Sequence, residues 1–110
     1  MTKAFLIVLS AALGAAPAYA QTIAAGKQQF EGRCAGCHGA DGAGGERAPG
    51  IVDIRHGRSQ SPREIIRNGI PDAGMPSFQK ILNSMQVRAI QAYIVSRARE
   101  SAKPDGNQRK

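Results

Sequence analysis

Apolar residues recur at spacings of three and four in two separate stretches of this chain, and nowhere do they alternate with polar ones in the period of two that marks a strand. The first stretch, TIAAGKQQFEGRCAGC from residue 22, places Ile23, Ala25, Gly26 and Phe30 near one helical face, with Thr22 as the cap. A glycine inside a helix costs up to about 1 kcal/mol against alanine. Gly26, one turn before Phe30, is therefore expected to mark a close helix crossing. The last stretch, residues 83–102, is the longest predicted helix, with Val87, Ile90, Tyr93 and Ile94 as its stripe. Asn83 with Gln86 three later forms a capping box, and Arg97 and Arg99 suit the negative end of the helix dipole. Between them, Ser61, Pro62 and Glu64 open a short helix that Gly69 ends. Met85 falls in the first turn of the last helix, where packing is its expected role. Residues 38–50, with five glycines and one proline, predict a loop, and 70–78 a second, irregular one. The expected fold class is all-α: three helices joined by long Gly/Pro loops, without an internal repeat.

The first twenty residues follow another pattern. A basic start, MTK, precedes thirteen uncharged residues, then Pro17 and the A-x-A site Ala18-Tyr19-Ala20. These are the parts of a secretory signal peptide, with export to the periplasm. The alternative, an uncleaved anchor, needs about 20 apolar residues to cross a bilayer. No cysteine follows the site, which speaks against a lipid anchor. The expected organisation is a signal over 1–20, a domain over 21–102 and a polar, disordered tail over 103–110.

Composition sharpens this picture. The formal charge is +7, and the predicted leader contributes only Lys3 to it, so +6 remains. Ten of the cations are arginines. Such a balance suits an acidic protein partner, a weak contact with an anionic membrane surface, or nucleic acid, and export argues against the last. Scattered charge also serves plain solubility. A mature chain of ninety residues without Trp makes a thin core, which a large apolar cofactor would fill.

The candidate chemistry lies in Cys34-Ala35-Gly36-Cys37-His38. A thioredoxin-like dithiol requires a βαβ surround that the pattern does not predict. Zinc requires four ligands, and the chain offers Cys34, Cys37, His38 and His56, with His38 awkwardly adjoining Cys37. A lone disulfide across Cys34 and Cys37 is possible in an oxidising compartment. Covalent haem attachment uses every position: each thiol adds to one vinyl group, and the next residue turns its imidazole to the iron.

With these residues in view, the chain resembles a class I c-type cytochrome of the short, mono-haem bacterial kind. AGKQQFEGRCAGCHG resembles that family's first helix and attachment site, ERAPGI its segment behind the proximal histidine, IIRNGIPDAGMPSF its distal loop, and QVRAIQAYIVS its last helix. The resemblance implies that the first and last helices cross, with Gly26 and Phe30 meeting Ile90 and Tyr93. It implies one haem c bound through Cys34 and Cys37, with His38 and Met75 as axial ligands. Met75 also stands between Gly74 and Pro76, a setting that lets backbone approach the haem and stiffens the loop. His56 is the rival ligand, and an open sixth position is a further alternative. The carbonyl of Pro49 is implied as acceptor for the proximal imidazole. Arg55, Arg58 and Arg67 are candidate donors to the propionates, and Lys27, Arg33, Lys80 and Arg88 candidate rim cations.

The implied function is an electron carrier rather than an enzyme. It would serve acidic redox partners: a membrane oxidase, a quinol-oxidising complex or a periplasmic dehydrogenase. The alternatives are a subunit held permanently on a dehydrogenase, and a haem sensor or peroxidase with an open sixth site.

Overall fold

The computed structural model describes residues 18–51 and 60–103. The predicted leader up to Pro17, the rival ligand His56, the propionate candidates Arg55 and Arg58, and the tail beyond Lys103 lie outside the described residues. Helix α1 (Ala18–Arg33) is followed by a single turn, α2 (Ala35–His38), by α3 (Pro62–Asn68), by a 3-10 turn (Pro71–Ala73) and by α4 (Ser84–Ser101). Among the described residues the β pairing is one isolated antiparallel bridge, Ile70 with Met75, so the fold is all-α as expected.

Two capping boxes start the later helices. Ser61 Oγ accepts from the Glu64 N–H at 3.3 Å while the Glu64 carboxylate accepts from the Ser61 N–H at 2.9 Å. Asn83 and Gln86 repeat the exchange at 2.9 Å in each direction. Each box satisfies backbone donors that a helix start otherwise leaves unpaired. Replacing Asn83→Ala should cost about 1 kcal/mol. That lowers the melting temperature by about 4–8 °C in a domain of this size, whereas Asn83→Asp, which keeps the acceptor, should melt with the wild type. A pair of thermal melts checks it.

The first helix departs from expectation. Thr22 does not cap it: α1 already runs from Ala18, and the Thr22 hydroxyl donates to the Ala18 carbonyl at 2.9 Å. Nothing in Ala18-Tyr19-Ala20-Gln21 breaks a helix, so the turn propagates upstream. Ala25, expected on the buried face, is exposed, and Gly26 and Phe30 carry the contact.

Helices α1 and α4 make the principal contact. A Cβ on Gly26 would lie 1.9 Å from the Ala89 carbonyl oxygen, so the helices touch backbone to backbone there. The Ile90 amide nitrogen would lie 3.0 Å from the same Cβ, so Gly26 faces Ala89 as well as the expected Ile90. Phe30 meets Tyr93 with ring centroids 5.3 Å apart and planes tilted by 52°. Phe30 and Ile90 are fully buried. Val87, Ile90 and Ile94 extend this core to Ile66 of α3 and to Leu82, and Ile51 and Phe78 close over it from the loops. Leu82 and Val87 flank the Asn83 cap as a hydrophobic staple. The staple leaves Met85 on the outer side of the first turn, so the packing role expected for it is not what the structure shows: it is 78% exposed. Arg99 occupies the last turn of α4, while Arg97 is half-buried. No described helix is long and apolar enough to cross a membrane.

Candidate haem site

Cys34 to His38 form one continuous turn at the end of α1. The Cys34 N–H donates to the Phe30 carbonyl at 2.8 Å, and the Cys34 carbonyl accepts from the N–H groups of Cys37 (3.2 Å) and His38 (3.0 Å). Both cysteines are free thiols, Cys34 half-buried and Cys37 exposed. Burial pushes the Cys34 thiol above its ordinary range; neighbouring Arg33 opposes the shift and Cys37 adds to it. Among the described residues no three His, Cys, Asp or Glu side chains converge on a common point.

His38 is oriented from behind. Its Nδ1 lies 2.9 Å from the Pro49 carbonyl oxygen, the hydrogen bond that the resemblance implied. A carbonyl only accepts, so Nδ1 carries the proton and Nε2 keeps the lone pair. The glycine-rich loop brings Pro49 there through its own bonds: Gly44 N–H to the His38 carbonyl (2.8 Å), Gly45 N–H to the Ala48 carbonyl (3.0 Å) and Ile51 N–H to the Gly42 carbonyl (2.8 Å). The Asp41 carboxylate steadies the turn by accepting from the Ala43 N–H at 3.0 Å.

Met75 stands on a separate loop. Ile70 and Met75 exchange backbone bonds of 2.9 and 3.1 Å, closing a small loop over the Pro71–Ala73 turn. Gly69 makes its entry possible: φ is +69°, and a Cβ there would lie 2.6 Å from the Met75 carbonyl oxygen. The last carbonyls of α3, which lack intrahelical partners, anchor the same loop. Ile65 accepts from the Gly69 N–H (2.7 Å), Ile66 from the Phe78 N–H (3.1 Å) and Arg67 from the Ser77 hydroxyl. Met75 is thus half-buried on a segment held at both ends. Sequence reasoning missed Ser77; its one signal is a hydroxyl two residues past Met75 in a proline turn. The structure brings Cys34, Cys37, His38 and Pro49 together, whereas the backbone of α2 contacts neither α3 nor the 3-10 turn.

Among the other candidates, Arg67 is exposed and lines a groove of about 310 Å³ with Gln79, Leu82, Asn83, Ser84 and Val87. Lys27 pairs with Glu31 at 3.9 Å, and Arg33 Nε donates to Gln29 at 3.2 Å. Lys80 and Arg88 are exposed.

Residues 21–94 match the family described as cytochrome c oxidase, cbb3-type, subunit III. The chain belongs to this family of c-type cytochromes. No curated protein and no solved structure gives a match. The all-α architecture is accordingly a cytochrome c fold, and the chain is a haem-binding, electron-transfer domain. Its donor set suits haem c: two free thiols one turn apart, an imidazole whose Nε2 lone pair is kept available, and a thioether on an anchored loop.

Proposed function

We propose that the chain is an exported mono-haem cytochrome that carries single electrons between periplasmic redox partners without itself catalysing a reaction. The observation that carries this reading is the Nδ1 to Pro49 hydrogen bond directly behind the CAGCH turn. It leaves the remaining nitrogen of His38 in the tautomer that binds a metal, and makes it a better donor. Cys34 and Cys37 would hold the haem through two thioethers, and His38 and Met75 would be its protein ligands. Bound haem supplies an Fe(II)/Fe(III) couple whose potential thioether ligation raises. If His38 and Met75 both ligate, no position would remain for substrate, which favours outer-sphere transfer over peroxidase or sensor chemistry.

The basic start, the uncharged run and the A-x-A site support a leader over residues 1–20. Cleavage there removes the Ala18 carbonyl and frees the Thr22 hydroxyl for the cap position. The partners are acidic redox proteins, and the family's description favours a membrane oxidase among them. That description also favours a second reading, a subunit kept within an oxidase.

Voltammetry of the holoprotein tests the carrier role. A reversible wave with a slope of about 59 mV per decade, the one-electron value, and no catalytic current with peroxide is expected. A catalytic peroxide current would contradict it.

A further inference from the structure

Only three large apolar side chains among the described residues are strongly exposed: Tyr19, Ile81 and Met85. Tyr19 falls in the proposed leader. The other two lie four residues apart where the chain enters α4, with Ile81 at 53% and Met85 at 78%. Their exposure follows from the local fold. The N–H groups of Ile81 and Leu82 both bond to the Phe78 carbonyl, at 3.0 and 2.9 Å, and this turn sends Leu82 inward to its staple with Val87. The core is complete at this point without Ile81 or Met85. The chain nevertheless places these two large exposed apolar groups only four residues apart, beginning six residues after Met75.

Charge selects the occupant. From Ala73 to Arg99 the chain has no carboxylate and four cations, Lys80, Arg88, Arg97 and Arg99. Lys80 adjoins Ile81, and Arg88 lies one turn beyond Met85 on the same face of α4. A second copy of this basic chain would bring like charges together at the patch. We propose that Ile81 and Met85, rimmed by Lys80 and Arg88, form the docking surface for a redox protein whose contact face is apolar at its centre and acidic at its rim. The proposal rests on the electron-carrier reading above. An unbranched, polarisable Met side chain adapts to differing surfaces, which suits brief contacts with a donor and then an acceptor. The cations steer encounter, and the apolar pair holds the complex when salt screens the charges.

The test is steady-state oxidation of the ferrous holoprotein by membrane vesicles from a bacterium that respires through a cbb3-type oxidase, over a range of ionic strength. Each ferrous protein loses one electron, and four reduce one O₂ with four protons to two waters. Ile81→Ser/Met85→Ser should raise KM about tenfold, with kcat, absorption spectrum and midpoint potential unchanged. Arg88→Gln should raise KM about two- to fivefold at low salt and converge on the wild type at high salt. Lys103→Gln, which removes a charge at the far end of α4, should leave KM unchanged. An unchanged KM for the double variant, while the wild type is oxidised normally, would overturn the docking surface and leave the carrier reading standing. Failure of the vesicles to oxidise the wild type would overturn both. Concentration-dependent dimers of the wild type that the double variant abolishes, with KM unaltered, would overturn the proposal in favour of self-association.

Discussion

Gly26→Ala should lower the melting temperature of the holoprotein by about 12 °C or more. The added Cβ would lie 1.9 Å from the Ala89 carbonyl oxygen and 2.4 Å from its carbon. Both atoms belong to the backbone of α4, so no side chain can rotate aside and the helices must separate. Overpacking a core typically costs about 1–3 kcal/mol, occasionally more. Contact with backbone places this site at the upper end, and each kcal/mol shifts melting by about 4–8 °C in a domain of this size. Separation also loosens Phe30 from Tyr93 and weakens the base of the turn that carries Cys34. Gly32→Ala is the control in the same helix. No neighbour would lie within 4 Å of a Cβ there, so the better helix propensity of alanine should stabilise by up to about 1 kcal/mol. Calorimetry of the two variants reads opposite signs from one chemical change; equal, small effects would mean that the helices do not meet at Gly26.

The second large effect is expected from Met75→Ala. The loop that carries Met75 is fixed by backbone bonds, Ile70 with Met75 and α3 with Ser77 and Phe78, and none of these needs the thioether. The variant should therefore keep its fold and its covalent haem while losing the ligand. Expected are the disappearance of the far-red sulfur-to-iron band of the ferric form and a fall in midpoint potential. The fall should be on the order of 0.1 V or more, since axial ligands set haem potentials over about 0.8 V. Met85→Ala, at a side chain 78% exposed, should retain the band and the potential. A Met75→Ala protein with an unaltered ferric spectrum would transfer the role of sixth ligand to another residue, with His56 first in line.

Local rules carried the sequence reading furthest. Both capping boxes were legible because every group in them lies within three residues of the cap. Gly26 was legible because a glycine beside a helical aromatic has few other uses, and the crossing stands where it was expected. The hydrogen bond from His38 to Pro49 spans eleven residues and came only through the family resemblance, since no local rule folds the glycine loop back on the histidine. Thr22 was misplaced as a cap because a good cap residue says nothing against a helix that continues upstream through alanines. Met85 was assigned to packing from its helix alone. Pairing Leu82 with Val87 across the Asn83 cap would have shown that the inner side of that turn was already filled. Ser77 acts on a carbonyl ten residues away, and nothing in the pattern of apolar positions points to it.

A closed, six-coordinate haem held by this chain should not react with carbon monoxide. The wild-type holoprotein, reduced and exposed to the gas at neutral pH, should show the spectrum of a covalently bound c-type haem that does not change, because Met75 keeps the sixth position. Rapid conversion of the ferrous spectrum to that of the carbon monoxide adduct would contradict the account, and would make the chain a ligand-binding or peroxidatic haem protein.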